Sequence, residues 1–302
     1  MYLYHFGLRE LPFTLTPNTS YYFGLPSHKQ AIEVLTLALK TGEGFIKVTG
    51  EVGTGKTLLC RKLLNELPDH FVSAYIPNPC LSPAELRAAV ARELDVAFDG
   101  PVDQQEFTLR IEQRLIEIHR QGQAVVLIID EAQALPVESI EVLRLFSNLE
   151  TESHKLLQVV LFGQPELDQK LDLPELRQLK QRIGFSYRLD VMDLEQLVQY
   201  VHHRLQVAGY RGSDVFSRAC CKMLFRASQG TPRLVNVLCH KALMLAFGEG
   251  KQQVEPGHMQ LAIIDTEAAV RRDGHIWRIW SLVLLCSVLS VAAGYWLWVR
   301  YL

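Results

Sequence analysis

Apolar runs alternate with amphipathic segments along residues 1–190 of the chain. The short apolar runs predict buried strands at 44–49, 71–76, 124–129, 156–162 and 185–189. Between them, apolar residues recur every three or four positions and predict helices at 56–67, 107–119, 139–149 and 174–183, with a further helix opening at Ser82. Strands that alternate with helices are typical of an α/β fold with a parallel sheet flanked by helices.

The pattern changes after residue 190, where helical segments follow one another and no strand is indicated. These helices are predicted at 193–208, 214–228, 233–247 and 256–270. Thr231 stands before Pro232 and should cap the third helix, because a Thr hydroxyl accepts from free N–H groups of the first turn. We therefore predict an α/β domain at 1–190 and an all-helical unit at 191–270, called the lid below.

The end of the chain has the properties of a membrane span. Residues 280–299 carry no charged side chain, and a 20-residue helix rises about 30 Å, the thickness of the hydrocarbon core of a bilayer. All four Trp lie at the two ends of this segment, as interfacial aromatic residues do: Trp277, Trp280, Trp296 and Trp298. We expect a transmembrane helix at 280–299, a juxtamembrane segment at 271–279 and a tail at 300–302. A buried core helix is the alternative.

Charge and composition narrow the class of protein. The chain has 302 residues, of which 48% are hydrophobic, so collagen-like and disordered classes are excluded. Residues 1–270 carry 27 basic and 32 acidic side chains, a net charge of −5, which argues against a strongly basic nucleic-acid binder. Three Arg precede the predicted span and one follows it, which favours a cytoplasmic N-terminal part. The six Cys form no Cys-x-x-Cys pair and indicate buried thiols in a reducing compartment.

One segment matches the pattern G-x-x-x-x-G-K-[ST] of a phosphate-binding loop, and we call residues 50–57 the phosphate loop. It lies between a predicted strand and a predicted helix, and its residues are Gly50, Glu51, Val52, Gly53, Thr54, Gly55, Lys56 and Thr57. Its backbone N–H groups and the helix N-terminus attract phosphate. Lys56 should reach the β- and γ-phosphates of ATP, and the Thr57 hydroxyl should bind Mg²⁺.

An acidic pair follows the apolar strand at 124–129. Asp130 is placed to coordinate Mg²⁺ through water, and Glu131 to polarise the attacking water. Alone, an acidic pair after an apolar strand is a moderate signal, but it becomes strong beside a phosphate loop. Glu131 also favours hydrolysis over a scaffold that binds ATP without turnover, since a scaffold needs no base.

Several further polar residues are candidates for contact with the γ-phosphate. Gln164 follows the strand at 156–162 and could orient water, although a turn residue before Pro165 is the alternative. Arg177, Lys180 and Arg182 could supply a finger to a neighbouring subunit, with a solvated basic face as the alternative. Arg233 opens a lid helix and would contact the γ-phosphate from the lid.

Together these motifs resemble the AAA+ ATPases and, more narrowly, the general secretion pathway protein A family. The resemblance covers about residues 6–270 and rests on six segments: Tyr4–Pro17, the phosphate loop, Asp130–Gln133, Gly163–Leu167, Leu179–Ile183 and Gly230–Arg233. It implies Asp130 and Glu131 as the Walker B pair, with Gln164 and Arg233 as first and second sensors. It further implies Arg182 as the trans finger, with Arg177 left open, and Pro17–His28 at the adenine.

The resemblance also implies cofactors and partners. ATP and Mg²⁺ are expected, in an ATP-dependent homo-oligomer whose size, a hexamer among the options, stays open. Family members are built into secretion and pilus systems of the bacterial inner membrane, and the length here is most similar to ATPases of mannose-sensitive haemagglutinin (type IV) pilus biogenesis. The peptidoglycan-binding region of secretion members has no counterpart in this sequence, which puts a cell-wall contact in doubt. An AAA+ ATPase acting on nucleic acid and a non-hydrolysing scaffold are the alternative functions.

Overall fold

The computed structural model describes residues 2–97, 104–150 and 155–270. The predicted juxtamembrane segment, membrane helix and tail at 271–302 lie outside these ranges. Within the described ranges, no helix is long and apolar enough to cross a membrane.

Five parallel strands form the sheet that supports the rest of the fold. They are β1 (Phe45–Gly50), β2 (Phe71–Ile76), β3 (Ala124–Ile129), β4 (Leu157–Gly163) and β5 (Ile183–Leu189). Their spatial order is β2-β3-β4-β1-β5, and every pairing is parallel. All five predicted strands are confirmed, with bounds shifted by at most two residues. Because β4 lies between β1 and β3, the carboxyl ends of these three strands are neighbours, where ligands of α/β sheets bind.

Helices cover the sheet and form the lid. They are α1 (Pro26–Lys40), α2 (Lys56–Glu66), α3 (Pro83–Glu93), α4 (Gln104–Arg120), α5 (Val137–Phe146), α6 (Glu166–Leu171), α7 (Arg177–Arg182), α8 (Leu194–Val207), α9 (Arg218–Ser228), α10 (Pro232–Gly248) and α11 (Pro256–Ile264). The parallel sheet flanked by helices is thereby confirmed. Helices α1 and α6 are absent from the sequence-based prediction, and the predicted helix at 174–183 is a 3-10 turn followed by α7.

Two lid helices are shorter than the hydrophobic pattern predicts. Helix α9 begins at Arg218 because Phe216 forms a β-bridge with Val254, which keeps the preceding residues extended. Helix α11 ends at Ile264, and the chain then turns back so that the Val270 amide donates to the Ala227 carbonyl. Tertiary contacts with the rest of the lid therefore set both ends.

Strand β3 shows why its sequence is continuously apolar. Val125, Leu127 and Ile129 belong to the buried cluster that packs under α3, α4 and α5. The alternate residues Val126 and Ile128 belong to the cluster on the opposite face, with α1 and α2. Successive side chains of a strand point to opposite faces, so every side chain of a strand that is covered on both faces is buried, and apolar residues are favoured at each position.

The first residues of the chain pack with the lid. We call residues 2–25 the N-terminal strap; its buried side chains in the hydrophobic cluster of the lid are Tyr2, Phe6, Leu8, Phe13, Tyr21 and Leu25. Arg204 of α8 fixes the strap further, since its Nε donates to the Pro12 carbonyl at 2.5 Å. The sequence-based division at residue 190 stays a prediction. The strap precedes that division in the sequence, yet it shares a hydrophobic core with the lid.

The packing of the strap predicts a large effect at Phe13. This side chain is 3% exposed and its ring lies edge-on to Phe216 at 6.1 Å. Replacement by Ala should lower the free energy of unfolding of the full chain by about 3–5 kcal/mol, measured by urea denaturation. Tyr4→Ala is the matched control, because Tyr4 is 95% exposed and should change stability by less than about 0.5 kcal/mol. Equal effects of the two changes would contradict this packing.

Candidate functional site

The phosphate loop joins β1 to α2 and closes around the side chain of Lys56. Gly53 and Gly55 have φ angles of +81° and +99°, which an L side chain rarely adopts. Lys56 is 4% exposed, and its Nζ donates to the carbonyls of Gly50 at 2.8 Å and Glu51 at 3.0 Å. Burial lowers the pKa of Lys56, while the charges of Glu131 and Asp130 oppose that effect. The ammonium is thus held at the centre of the loop.

Thr57 and Asp130 form a direct pair at the end of the sheet. The Thr57 hydroxyl donates to Asp130 Oδ2 at 2.7 Å, and the Glu131 amide donates to Asp130 Oδ1 at 2.9 Å. Asp130 is 2% exposed, and burial raises the pKa of its carboxyl although both hydrogen bonds and Lys56 act in the opposite direction. A buried carboxylate against a hydroxyl offers the hard oxygen donors that Mg²⁺ prefers.

The donor set fits magnesium better than a metal held by the protein alone. Among the described residues, no group of three or more His, Cys, Asp or Glu could hold a metal ion. Mg²⁺ usually takes one or two protein oxygens and completes its shell with water and substrate phosphates. Thr57 and Asp130, beside a phosphate loop, fit that arrangement.

Glu131 and Gln164 meet across the ends of β3 and β4. Gln164 Nε2 donates to Glu131 Oε2 at 2.9 Å, and Gln133 Nε2 donates to the same oxygen at 2.6 Å. Partial burial tends to raise the pKa of Glu131, but these two amides and the charge of Lys56 outweigh it, and the pKa lies below its ordinary value. The structure therefore brings the predicted base and the predicted first sensor together.

The lid contacts the phosphate loop directly through the first turn of α10. The Arg233 amide donates to the Gly53 carbonyl at 3.2 Å, and a Cβ at Gly53 would lie 2.6 Å from the Arg233 Cβ. Only glycine permits this close approach. The predicted cap is wrong in one respect: Thr231 occupies the N-cap position, but its side chain makes no capping hydrogen bond. Pro232 at the first position supplies no N–H, so one fewer donor needs a partner.

Helix α1 contacts the phosphate loop from the other side through His28. His28 Nε2 lies 2.9 Å from the Thr54 carbonyl, and a Cβ at Gly55 would lie 3.0 Å from the His28 ring. The Tyr22 ring stacks on His28, and Arg61 of α2 donates to the Pro17 carbonyl at 2.8 Å. The phosphate loop is thus held between His28 of α1 and the first turn of α10.

These elements enclose a cavity of about 330 Å³. Its lining residues come from the strap, the phosphate loop, the sheet and the lid: Leu15, Thr16, Pro17, Asn18, Val52, Gly53, Gly55, Lys56, Thr57, Leu58, Glu131, Gln164, Tyr200, Arg204, Pro232, Arg233 and Asn236. Of the segment expected at the adenine, Pro17 and Asn18 line the cavity, whereas His28 contacts the loop. Lys56, Thr57, Glu131, Gln164 and Arg233 all reach the same cavity.

The predicted finger residues lie elsewhere. Arg177, Lys180 and Arg182 are exposed on α7 and are not among the residues that line the cavity. Arg182 Nη1 donates to Ser147 Oγ at 3.0 Å and also to the side chain of Asn148, while Lys180 pairs with Asp172. Within one chain they therefore cannot serve the cavity beside Lys56, and a role in a neighbouring subunit stays a prediction.

The sequence analysis assigns no role to Arg204 or Gln133 and expects a different one for His28. Arg204 lies on the buried stripe of α8, and an Arg at an apolar position of a helix is a sequence signal that could identify it. Gln133 belongs to the motif Asp130–Gln133. His28 belongs to the segment expected at the adenine, but it contacts the Thr54 carbonyl of the phosphate loop.

The stability of the folded chain should depend on pH through His28. Burial lowers the pKa of His28, and its contact with the Thr54 carbonyl only partly offsets that effect. Below about pH 6.5 the unfolded chain binds a proton at this side chain that the folded chain does not, so stability falls as pH falls. When the pH is lowered from about 7.5 to 5.5, the melting temperature of the His28→Gln variant should therefore fall less than that of the wild type. The control His70→Gln, at an exposed position, should follow the wild type; an H28Q curve parallel to wild type would contradict the assignment.

Comparison with known proteins agrees with this geometry. Residues 39–171 match the family model of an AAA domain. The chain is 41% identical over 298 residues to general secretion pathway protein A of Aeromonas hydrophila. The alignment covers 99% of this chain and 54% of that protein, so the chain spans about half the length of this relative.

Solved structures show the same fold at low sequence identity. Cdc6p of Pyrobaculum aerophilum superimposes with a TM-score of 0.63 and 20% identity, over 82% of this chain and 70% of its own. The Aeropyrum pernix ORC2 protein superimposes with a TM-score of 0.60 and 16% identity, over 84% and 70%. At this identity the likeness concerns the fold alone. Residues 39–171 therefore resemble an AAA domain in sequence, and the described residues share the α/β fold of these solved structures.

Proposed function

We propose that this chain binds ATP with Mg²⁺ and hydrolyses it. The observation that carries the proposal is the convergence of a phosphate loop, a Thr hydroxyl bonded to a buried Asp, and a carboxylate with its amide donors on one cavity. Lys56, Thr57 and Glu131 line that cavity, and Asp130 lies directly behind Thr57. The family match and the fold support nucleotide chemistry at this place.

Different residues of the site would bind the phosphates and the metal ion during phosphoryl transfer. The loop amides and Lys56 bind the phosphates, and Lys56 must exchange its contacts to the Gly50 and Glu51 carbonyls for phosphate oxygens. Thr57 and Asp130 would hold Mg²⁺, which would supply positive charge against the bound phosphates. Positioning and charge stabilisation supply most of the rate in such reactions.

Glu131 acts on the attacking water in this proposal. Its carboxylate stays ionised near neutral pH because amide donors and Lys56 lower its pKa, so it can accept a proton or orient water. Gln164 shares the same carboxylate oxygen and lines the same cavity, which suits it to orient water beside the γ-phosphate.

The lid and an adjoining subunit complete the site in the proposal. Arg233 enters the cavity from the lid and would bind the γ-phosphate, so that hydrolysis alters the contact between lid and loop. Arg182, with Arg177 as the other candidate, would reach the cavity of a neighbouring copy, since both lie exposed on α7. We infer an ATP-dependent homo-oligomer whose subunits complete one another's sites.

We further propose that the ATPase supports assembly of a secretion complex or a type IV pilus at the bacterial inner membrane. The 41% identity to general secretion pathway protein A supports the secretion setting. The uncharged segment 280–299 would anchor the chain, with the ATPase in the cytoplasm. The pilus is the finer part of this proposal and rests on the sequence resemblance.

Separating binding from hydrolysis tests the proposed activity. Glu131→Gln should keep the affinity for ATP and lower turnover by about 10²–10⁴-fold, the range of general-base catalysis. Lys56→Ala should lose ATP binding, because the loop then lacks its central positive charge. Glu138→Gln, at an exposed carboxylate seven residues along the chain, is the matched control and should leave both quantities unchanged. Undiminished turnover in E131Q would refute the role of Glu131.

The cellular setting has its own test. Cells whose only copy of the gene encodes Lys56→Ala should lose surface pili or the export of secreted proteins, and the wild-type gene should restore them. Normal pili and export in these cells, with the variant present at wild-type level, would contradict the assembly function and leave the ATPase activity standing.

A further inference from the structure

Gln133 lies between the two residues that the proposed reaction uses to handle water. It belongs to the 3-10 turn Ala132–Ala134 that follows the acidic pair. Its Nε2 donates to Glu131 Oε2 at 2.6 Å, and its Oε1 accepts from the backbone N–H of Gln164 at 2.9 Å. One side-chain amide thus connects the end of β3 with the end of β4.

The two contacts fix the orientation of the Gln133 amide. Rotating the amide by 180° would place its oxygen against the Glu131 carboxylate and its NH₂ group against the Gln164 N–H, so both contacts would become repulsive. Gln164 Nε2 donates to the same carboxylate oxygen at 2.9 Å. Both donors therefore reach the same oxygen, Oε2 of Glu131, and Glu131 lines the cavity.

The surroundings hold Gln133 in this place. Lys170 Nζ donates to the Gln133 backbone carbonyl at 2.6 Å and to that of Leu135 at 2.6 Å, which closes the turn. On the opposite side, a Cβ at Gly163 would lie 3.3 Å from Gln133 Oε1 and 2.7 Å from Leu167 Cδ2. A glycine at the end of β4 therefore gives the amide room to approach.

Glu131 itself needs such support. Its backbone is left-handed, with a φ of +51°, which is uncommon for a residue with a side chain. A carboxylate at the end of a strand, on a strained backbone and only partly buried, has several rotamers open to it. Two donors on one oxygen select the rotamer that faces the cavity with Lys56 and Thr57.

From this geometry we infer that Gln133 is a positioning residue for ATP hydrolysis: it fixes the Glu131 carboxylate and joins it to Gln164. The inference rests on the proposed ATPase function and adds to it a residue that does not line the cavity. Gln133 acts through Glu131, so its loss should slow the chemical step and leave nucleotide binding to the phosphate loop intact.

A double-mutant cycle on the full chain tests this inference. Gln133→Met has a similar length without the amide and should lower kcat by about 10–100-fold, as expected when a catalytic group is misplaced, with KM changed less than about threefold. In the Glu131→Gln background, adding Q133M should lower the residual rate by less than about twofold, because residues that act as a unit are not additive. Gln199→Met, at an exposed lid position, is the matched control and should resemble wild type.

A crystal structure of the Q133M chain supplies a readout that does not depend on activity. The Glu131 carboxylate should leave its wild-type position, while β3, β4 and the phosphate loop superimpose. A Glu131 side chain in its wild-type place, or equal fold losses from Q133M with and without E131Q, would overturn the inference. A fall in both kcat and ATP affinity with a lower melting temperature would show a purely structural role and overturn it as well. A wild-type chain without ATPase activity would refute the proposed function. In that case the position of the Glu131 carboxylate in the Q133M crystal structure would still show whether Gln133 holds it in place.

Discussion

The shape of the phosphate loop depends on contact from two sides that belong to distant parts of the sequence. His28, just after the strap, reaches the Thr54 carbonyl, and the first turn of α10 reaches the Gly53 carbonyl. An isolated glycine-rich loop has many conformations, and each ordered residue opposes folding by about 1–2 kcal/mol of backbone entropy. These two contacts restrict the conformation of the loop before any ligand arrives.

The same arrangement connects the loop to the lid mechanically. The strap shares a hydrophobic core with the lid helices, and Arg204 donates to carbonyls of the strap from inside that core. A change in the position of the lid would therefore reach the loop by two routes, through Arg233 directly and through Tyr22 of the strap, which stacks on His28. Under the proposed function, occupancy of the phosphate site would act on the lid through the same two routes.

Much of the fold follows from the sequence because buried parallel strands leave a strong signal. The run Val125–Ile129 is apolar at every position since both faces are covered, and the acidic pair after it marks the edge where the site forms. The glycine pattern of the phosphate loop likewise predicts where Lys56 and Thr57 lie, because few other sequences form a phosphate-binding loop between a strand and a helix. The contacts of His28 and Gln133 have no such signal. The His28 contact depends on where α1 lies against the phosphate loop, and the Gln133 contacts depend on how the ends of β3 and β4 approach each other. Spacing along the chain encodes neither arrangement.

The ends of elements show the same limit. Residues 214–217 have helical periodicity, yet Phe216 pairs with Val254 and the helix starts later. Thr231 has the residue type of a helix cap, yet the close approach of Arg233 to Gly53 governs that turn. In both places a tertiary contact outweighs a local preference of about 1 kcal/mol.

The most direct test of ATP hydrolysis at this site is phosphate release by the purified full chain with MgATP, compared with the Lys56→Ala variant at matched concentration. We predict turnover that requires both Mg²⁺ and Lys56, because the Thr57–Asp130 pair and the loop lysine lie at a single site. Turnover that persists in the Lys56→Ala chain, or a wild-type chain without Mg²⁺-dependent phosphate release, would contradict this prediction.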